Sequence, residues 1–347
     1  MNFLNTLLLK DNEKDINKAA EILRDGGLVG LPTETVYGLA ADALNGKAVA
    51  KIFEAKGRPM DNPLIVHISG FGDIIKHRLV KGIPKMLFPL ADRFWPGPLT
   101  VIMEKSDIIP DEVSAGLSTV AIRFPSHPVA QRVIKAAGVP LAAPSANLSG
   151  SPSPTTAKHV MNDLGGKIDA VIDGGACEVG LESTVITLAT DVPRVLRPGG
   201  ITVEQLREVL GILQVDDAVV HKLKDNEVAA SPGMKYKHYA PKANVILLKC
   251  HDDEYIEYVN SRANNGVSAL CCDEDIRLLN VRTYSLGKRN DYTAHAQNLF
   301  DMLRKIDDDG VSTTVYSRLP SVNGVGLAVY NRLIRAAGFE VIDLEKD

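Results

Sequence analysis

LVGLPTETVYGL, residues 28–39, joins a short apolar run to a loop that carries hydroxyls, a carboxylate and a phenol. The run predicts a strand, and upstream Asp15 can cap a helix of regular apolar spacing that Gly26-Gly27 ends. The polar loop therefore stands directly after a strand, where α/β proteins commonly bind ligands. The alternative is a plain strand-to-helix turn that uses a threonine as a cap.

Helix and strand patterns alternate beyond this stretch, and some strands follow one another directly. The predicted strands are 64–68, 99–103, 119–124, 141–143, 170–172 and 184–188. The predicted helices are 46–56, 84–94, 129–137 and 156–164. Directly consecutive strands favour antiparallel pairs, so residues 1–212 are expected to form an α/β domain around a twisted mixed sheet.

A second domain is expected after a linker. Residues 213–242 lose clear periodicity and include SPGMKYKHYAP at 231–241, which indicates a linker or lid. Strands at 245–249, 267–271 and 313–316 then alternate with helices near 254–262, 294–306 and 326–337. This βαβ series predicts a smaller, Rossmann-like α/β domain over residues 243–347.

Composition narrows the classes of protein. A chain of 347 residues favours two domains, and a net charge of -4 with a pI near 6.1 argues against a general electrostatic grip on nucleic acid. The four cysteines form no C-x-x-C pair, which favours buried, reduced thiols. Leu7-Leu8-Leu9 is too short for a signal sequence and no run is long enough to span a membrane, so a cytoplasmic location is expected.

The familiar nucleotide and metal signatures are missing from the sequence. It has no G-x-x-x-x-G-K-[ST], and Gly324-Val325-Gly326 lacks the third glycine of a dinucleotide fingerprint. None of the eight histidines pairs with another at helical i, i+4 spacing. An ATP site would therefore have to be built in another way.

Two loops carry groups that suit an anionic ligand. KGRPMDNP, residues 56–63, places two cations and an amide between a helix and a strand, which could clamp an oligophosphate. The alternative is that Lys56 only complements a helix C-terminus and Arg58 is solvated. AAPSANLSGSPS, residues 142–153, is dense in small hydroxyl and amide groups that permit close approach, although a polar surface loop would look the same.

The order of these segments is more specific than any one of them, and it resembles a known family. Residues 1 to about 210 are similar to the YrdC-like domain, and the whole chain resembles the longer threonylcarbamoyl-adenylate synthases that add a C-terminal domain. The motifs that carry the resemblance are PTETVYGL (32–39), KGRP (56–59), NPL (62–64), WPGPLT (95–100), APSAN (143–147), EST (182–184) and RPG (197–199).

The resemblance implies an activity and its site residues. Enzymes of this kind make threonylcarbamoyl-AMP and pyrophosphate from L-threonine, bicarbonate and ATP with Mg²⁺, and pass the product to a transferase complex that modifies tRNA. It implies that Lys56 and Arg58 are catalytic and that no side chain ligates the metal, which ATP carries. The implied ATP contacts are Arg58, Asn62, Thr119, Ser145, Ser153, Arg197 and Tyr236. The implied threonine contacts are Thr35, His67, Arg123, Ala143 and Ser183.

Several alternatives stay open at this stage. Arg123 could be a strand-surface cation, His67 a satisfied core histidine, and the segment with Tyr236 a passive linker instead of a lid. WPGP at 95–98 is expected to be a structural turn. A non-catalytic RNA-binding module and carbamoyl transfer to another acceptor are the rival functions. The acidic balance and 5% aromatic content make direct tRNA binding doubtful.

Overall fold

Residues 5–221 and 239–345 are described by the computed structural model, and they fall into two units. The first unit comprises residues 5–149, Ser153–Glu178 and 182–221. The second comprises Gly150–Pro152, Val179–Leu181 and 239–345. Most of the predicted linker, with Tyr236, lies outside the described residues.

Strands of the first unit form one large sheet. They are β1 (Leu7–Lys10), β2 (Val29–Leu31), β3 (Gly38–Asp42), β4 (Ile65–His67), β5 (Leu99–Glu104), β6 (Thr119–Arg123), β7 (Leu141–Ala142), β8 (Ala170–Asp173), β9 (Thr184–Thr187), β10 (Arg194–Arg197) and β11 (Gln214–Val215). Their order across the sheet is β1-β8-β2-β3-β7-β4-β6-β5-β9-β10-β11. The sheet contains both parallel pairs, such as β4 with β6, and antiparallel pairs, such as β5 with β6, so the predicted mixed sheet is confirmed.

Helices of the first unit lie between these strands. They are α1 (Glu13–Arg24), α2 (Gly46–Lys56), α3 (Asp73–Lys76), α4 (Leu87–Phe94), α5 (Asp111–Ser114), α6 (Pro128–Ala137), α7 (Ala157–Leu164) and α8 (Val203–Leu210). Residues 214–219 of the predicted linker form β11 and a 3-10 turn, and β11 pairs with β10.

The start of α1 differs from the prediction in a physically clear way. Asn12, not Asp15, is the N-cap, since its side-chain oxygen accepts a hydrogen bond from the Asp15 N–H at 3.0 Å. The Asp15 carboxylate instead accepts from the Lys10 N–H at 2.8 Å. The predicted apolar face is confirmed, because Ile16, Ala19, Ala20 and Leu23 are all buried in the core that α1 shares with α6.

The second unit is a parallel sheet with helices between its strands. Its strands are β12 (Asn244–Lys249), β13 (Val267–Cys271), β14 (Arg282–Ser285), β15 (Thr314–Arg318) and β16 (Val341–Asp343). Its helices are α9 (Asp252–Ser261), α10 (Tyr292–Asp309) and α11 (Gly326–Ala336). Every pair in the order β14-β13-β15-β12-β16 is parallel, which confirms the predicted Rossmann-like arrangement.

The cysteines and the hydropathy of the helices bear on two further predictions. All four cysteines are free; Cys177 and Cys271 are buried as expected, whereas Cys250 and Cys272 are only half-buried. Among residues 5–221 and 239–345, no helix combines the length and apolar character that crossing a bilayer requires.

Candidate active site

A row of polar side chains crosses the middle of the first unit's sheet. His67 on β4 pairs in register with Arg123 on β6, and Arg123 pairs in turn with Thr100 on β5. Residues directly opposite each other in neighbouring strands share a face, so strand pairing alone assembles this row. The hydroxyl of Thr100 lies 2.7 Å from that of Ser183, which extends the row to the start of β9.

Arg123 forms an ion pair inside the protein. Its Nη2 lies 2.7 Å from Oε1 of Glu34, and both side chains are only 5% exposed. The Arg123 Nε also donates to the Gly97 carbonyl at 3.4 Å. Burial alone would raise the pKa of Glu34, but the charge of Arg123 outweighs it and holds that pKa below its ordinary value. Both partners are therefore charged, and Arg123 is not a surface cation.

Glu34 belongs to the loop between β2 and β3. The Thr33 hydroxyl donates to the Val36 carbonyl at 2.6 Å and lies 2.9 Å from the Thr35 hydroxyl. All three residues from Thr33 to Thr35 are buried. Because the next element is β3, which pairs with β2 as a hairpin, the alternative of a threonine-capped helix is wrong.

His67 is electrically neutral in this setting. It is 3% exposed, and its Nδ1 lies 3.2 Å from the Ile65 carbonyl. Burial, followed by the nearby charge of Arg123, lowers its pKa to about 3. An uncharged imidazole adds a hydrogen-bonding group to the row without adding a second positive charge.

Lys56 anchors the loop that follows β7. It ends α2, is 3% exposed, and its Nζ donates to the carbonyls of Ser145 at 2.5 Å and Asn147 at 2.6 Å. The third contact is with Asn147 Oδ1 at 3.4 Å. The alternative that Lys56 only complements its own helix is therefore wrong. The same loop starts at Ala143, whose N–H donates to the Ile65 carbonyl at 3.0 Å, so it joins the Lys56 region to the polar row.

Arg58 and Asn62 lie together on the cationic loop. Arg58 is half-buried and its Nη2 donates to the Asn62 carbonyl at 3.2 Å, so it is not simply solvated. Asn62 is 3% exposed, and its side-chain oxygen is buried without a hydrogen-bond partner. A buried acceptor of this kind suits a ligand that brings an N–H or O–H group.

Arg197 holds the far end of the row. Its Nε and Nη2 donate to the Ser183 carbonyl at 3.1 and 3.0 Å, and Nη2 also reaches the Ser183 hydroxyl at 3.3 Å. Gly199 permits this approach, because a Cβ there would stand 2.4 Å from the Thr184 backbone nitrogen. Nearby, the Ser153 hydroxyl donates to Glu182 Oε1 at 2.5 Å.

Arg123, a predicted threonine contact, ends β6, and Thr119, a predicted ATP contact, begins it about 13 Å away. Because Ile65 lies opposite Ala121 in the parallel strands β4 and β6, Thr119 lies on the side of Asn62, another predicted ATP contact. Three participants were given no role from sequence: Glu34, Thr100 and Gly97. Each lies in one of the motifs that carry the resemblance. The WPGP turn has a structural contact with the polar row, because its Gly97 carbonyl accepts from Arg123 Nε at 3.4 Å.

Comparisons with known proteins identify the family. The family model described as telomere recombination, covering Sua5, YciO and YrdC, matches residues 21–199. The model of the threonylcarbamoyl-AMP synthase C-terminal domain matches residues 201–338. The threonylcarbamoyl-AMP synthase of Bacillus subtilis is 45% identical over 338 residues, 96% of each chain. The chain belongs to the threonylcarbamoyl-AMP synthase family.

Further members of the family agree with this membership over the full length. The threonylcarbamoyl-AMP synthase of Pyrococcus abyssi is 44% identical over 341 residues, 95% of this chain and 96% of its own. The crystal structure of Pyrococcus abyssi Sua5 complexed with L-threonine superposes with a TM-score of 0.90 at 42% identity, covering 98% of this chain and 99% of that one. The resemblance predicted from the motifs is therefore confirmed.

Proposed function

We propose that the protein joins L-threonine, bicarbonate and ATP into threonylcarbamoyl-AMP and releases pyrophosphate, as a nucleotidyltransferase. The row from His67 through Arg123 to Thr100 is the observation that carries this proposal, since it offers one fixed cation and neutral hydrogen-bonding groups to an amino acid. Its product would pass in the cytoplasm to a transferase complex that modifies tRNA. We do not assign direct tRNA binding to this chain.

Threonine would bind along the polar row. Arg123 would take its carboxylate through charge-assisted hydrogen bonds, while Glu34 holds the guanidinium in place from behind. The hydroxyls of Thr35 and Ser183, the neutral His67 and the backbone at Ala143 would complete the contacts. Glu34 and the substrate carboxylate together carry two negative charges against the one positive charge of Arg123. Threonine would therefore enter with its ammonium group charged and lose one proton from it to solvent before the amine reacts.

ATP would bind on the loops around Lys56. Arg58, Asn62, Ser145, Ser153, Thr119 and Arg197 supply two cations and neutral hydrogen-bonding groups, and Tyr236 is a further proposed contact that lies outside the described residues. Lys56 uses its donors on the loop of Ser145 and Asn147, so its part would be to order that loop and to add positive charge. Arg58, being half-buried, is the cation better placed to contact phosphate directly.

The reaction needs positioning more than a base of unusual strength. Bicarbonate would give CO₂ and hydroxide, and the neutral amine of threonine would form a C–N bond with that CO₂. The amine proton would join the hydroxide as water, which leaves a carbamate. A carbamate oxygen would then attack the α-phosphorus of ATP in line, and the bond to the pyrophosphate oxygen would break. Cations fixed before the reaction stabilise the charge that develops on these oxygens.

Mg²⁺ would enter with the triphosphate. Among the described residues, no group of three or more His, Cys, Asp or Glu side chains is placed to hold a metal ion. The acidic groups of the site, Glu34 and Glu182, already contact Arg123 and Ser153. Mg²⁺ typically keeps several waters and binds substrate phosphates, so the protein fits an ion carried by ATP, which would neutralise phosphate charge.

One incubation tests the proposal. The purified protein would receive ATP, Mg²⁺, bicarbonate and one amino acid at a time, with pyrophosphate followed by a coupled assay and the adenylate by mass spectrometry. Product that requires both threonine and bicarbonate is expected, and serine and valine are the matched controls. Binding of tRNA without pyrophosphate release would favour the rival RNA-binding function instead. A Tyr236→Ala variant should weaken ATP binding or shorten the lifetime of the adenylate.

A further inference from the structure

A cavity lies in the second unit, at the carboxyl ends of β13 and β15. Cys271 and Cys272 border it from β13, and Ser317 and Arg318 border it from β15. The chain leaves β13 for β14 at one edge of the sheet and leaves β15 for β16 at the opposite edge. Open parallel sheets bind ligands in the crevice outside the strand ends where the connections diverge in this way.

Two arginines are fixed side by side at this cavity by one carboxylate. Asp275 is fully buried. Its Oδ1 lies 2.7 Å from Nη2 of Arg289 and 3.1 Å from Nη2 of Arg318, and its Oδ2 contacts Nη1 of Arg318. Asp252, which is 55% exposed, contacts both arginines as well, at 3.2 Å from Arg318 Nε. Two carboxylates therefore face the two arginines, one buried and one exposed, and the Glu274 carboxylate also accepts from the Arg289 backbone N–H at 3.1 Å.

The arginines are held firmly enough to be a preformed site. The Arg318 guanidinium stacks 3.9 Å from the centre of the Tyr255 ring, and its Nε is buried without a well-aligned hydrogen bond. Burial, together with the charge of Arg318, lowers the pKa of Arg289. The two guanidinium groups repel each other at this distance. A bound anion that replaces or supplements the exposed Asp252 would reduce that repulsion.

The loop after β15 adds neutral donors. It runs from Leu319 to Val325 and contains the Gly324-Val325-Gly326 motif that matched no dinucleotide fingerprint. Gly326 begins α11 and packs on Ser321, since a Cβ there would lie 2.9 Å from the Ser321 Cβ and carbonyl oxygen. Ser321 itself lines the cavity. Within residues 5–221 and 239–345, no side chain caps the start of α11, and the positive end of its helix dipole favours an anion.

We propose that this cavity binds a phosphate group that contacts Arg289 and Arg318, both of which line it, with the hydroxyls of Ser317 and Ser321 as further donors. Its volume of about 90 Å³ is large enough for a small oxyanion. The group could be free phosphate, pyrophosphate or the phosphoryl end of a larger molecule. This inference does not depend on the proposed function, because every residue it uses lies within 252–326.

Calorimetric titration of the full-length protein with inorganic phosphate, pyrophosphate and AMP tests the site. Arg289→Gln should weaken phosphate binding by about tenfold or more, because it removes a charge-assisted hydrogen bond. Arg282→Gln is the matched control, since that arginine is in the same unit, 51% exposed and paired with Asp309 outside the cavity. Ser321→Ala, which leaves the ion pairs intact, should also weaken binding.

Titration of an Arg58→Ala variant separates this site from the one proposed for ATP, because the cavity of the second unit should still bind phosphate there. Tighter binding of AMP than of phosphate would identify the phosphoryl end of a nucleotide as the ligand, and the reverse would identify free phosphate or pyrophosphate. The inference is overturned if wild-type protein binds no phosphate at this site. It is equally overturned if neither Arg289→Gln nor Ser321→Ala changes phosphate binding.

Discussion

Arg123 Nη2 and Glu34 Oε1 lie 2.7 Å apart in the interior of the first unit, although 89 residues separate the two along the chain. An ion pair so well buried is costly to form, and it contributes little net stability unless further polar groups satisfy it. Removing one partner, by contrast, leaves the other as an uncompensated buried charge. The pair is therefore better explained by the need to present Arg123 in one orientation than by stability.

Glu34→Gln tests this explanation. The amide keeps the size of the side chain but not the charge, so Arg123 should lose its fixed position and its compensating charge. We expect KM for L-threonine to rise about tenfold or more with a smaller change in kcat, and the free energy of unfolding to fall by about 3 to 5 kcal/mol. Pyrophosphate release measured against threonine concentration gives KM and kcat, and urea unfolding gives the free energy of unfolding. Glu104→Gln on β5, an exposed carboxylate, is the control; an unchanged KM in Glu34→Gln would reject the role.

Replacing Lys56 and replacing Arg58 should have the same effect on activity but different effects on the free energy of unfolding. Both Lys56→Ala and Arg58→Ala are expected to abolish adenylate formation. Lys56 is buried and its Nζ contacts three oxygen atoms, so its replacement removes these charge-assisted hydrogen bonds and should cost about 2 to 4 kcal/mol. Arg58 is half-buried, and its variant should unfold within about 1 kcal/mol of wild type. Equal stability of the two variants would contradict the anchoring role of Lys56.

The sequence predicted where strands occur more readily than which strands pair with each other in the sheet. Segments 64–68 and 119–124 were both expected to be strands, but nothing local in them states that His67 and Arg123 pair. That pairing joins residues distant in the chain and depends on the order of the whole sheet. The strands missed in the second unit, Arg282–Ser285 and Val341–Asp343, are both at sheet edges, where short and less apolar sequences are usual. Glu34 was visible as a carboxylate, but its partner was not.

His67 should give the protein a specific acid sensitivity. Its pKa is about 3 in the folded protein and near 6.5 when unfolded, so between these values only the unfolded state takes up the proton. The contribution is fully present above about pH 6.5 and is lost as the pH falls toward 3, at up to about 1.4 kcal/mol per pH unit. Urea unfolding from pH 7 to 5 should therefore show a shallower loss of stability in His67→Gln than in wild type. Parallel curves would show that His67 is not held neutral.

Gly199→Ala should damage the site through the backbone alone. The added Cβ would stand 2.4 Å from the Thr184 nitrogen and 2.7 Å from the Glu182 carbonyl oxygen, so the segment after β10 must move away from the start of β9. Arg197, two residues earlier, would then lose its hydrogen bonds to Ser183. We expect a loss of about 1 to 3 kcal/mol in unfolding free energy together with a raised KM for ATP. Gly82→Ala is the control, because a Cβ at Gly82 meets no atom within 4 Å. If both variants kept wild-type stability and kinetics, the contact between these two segments would not be what places Arg197.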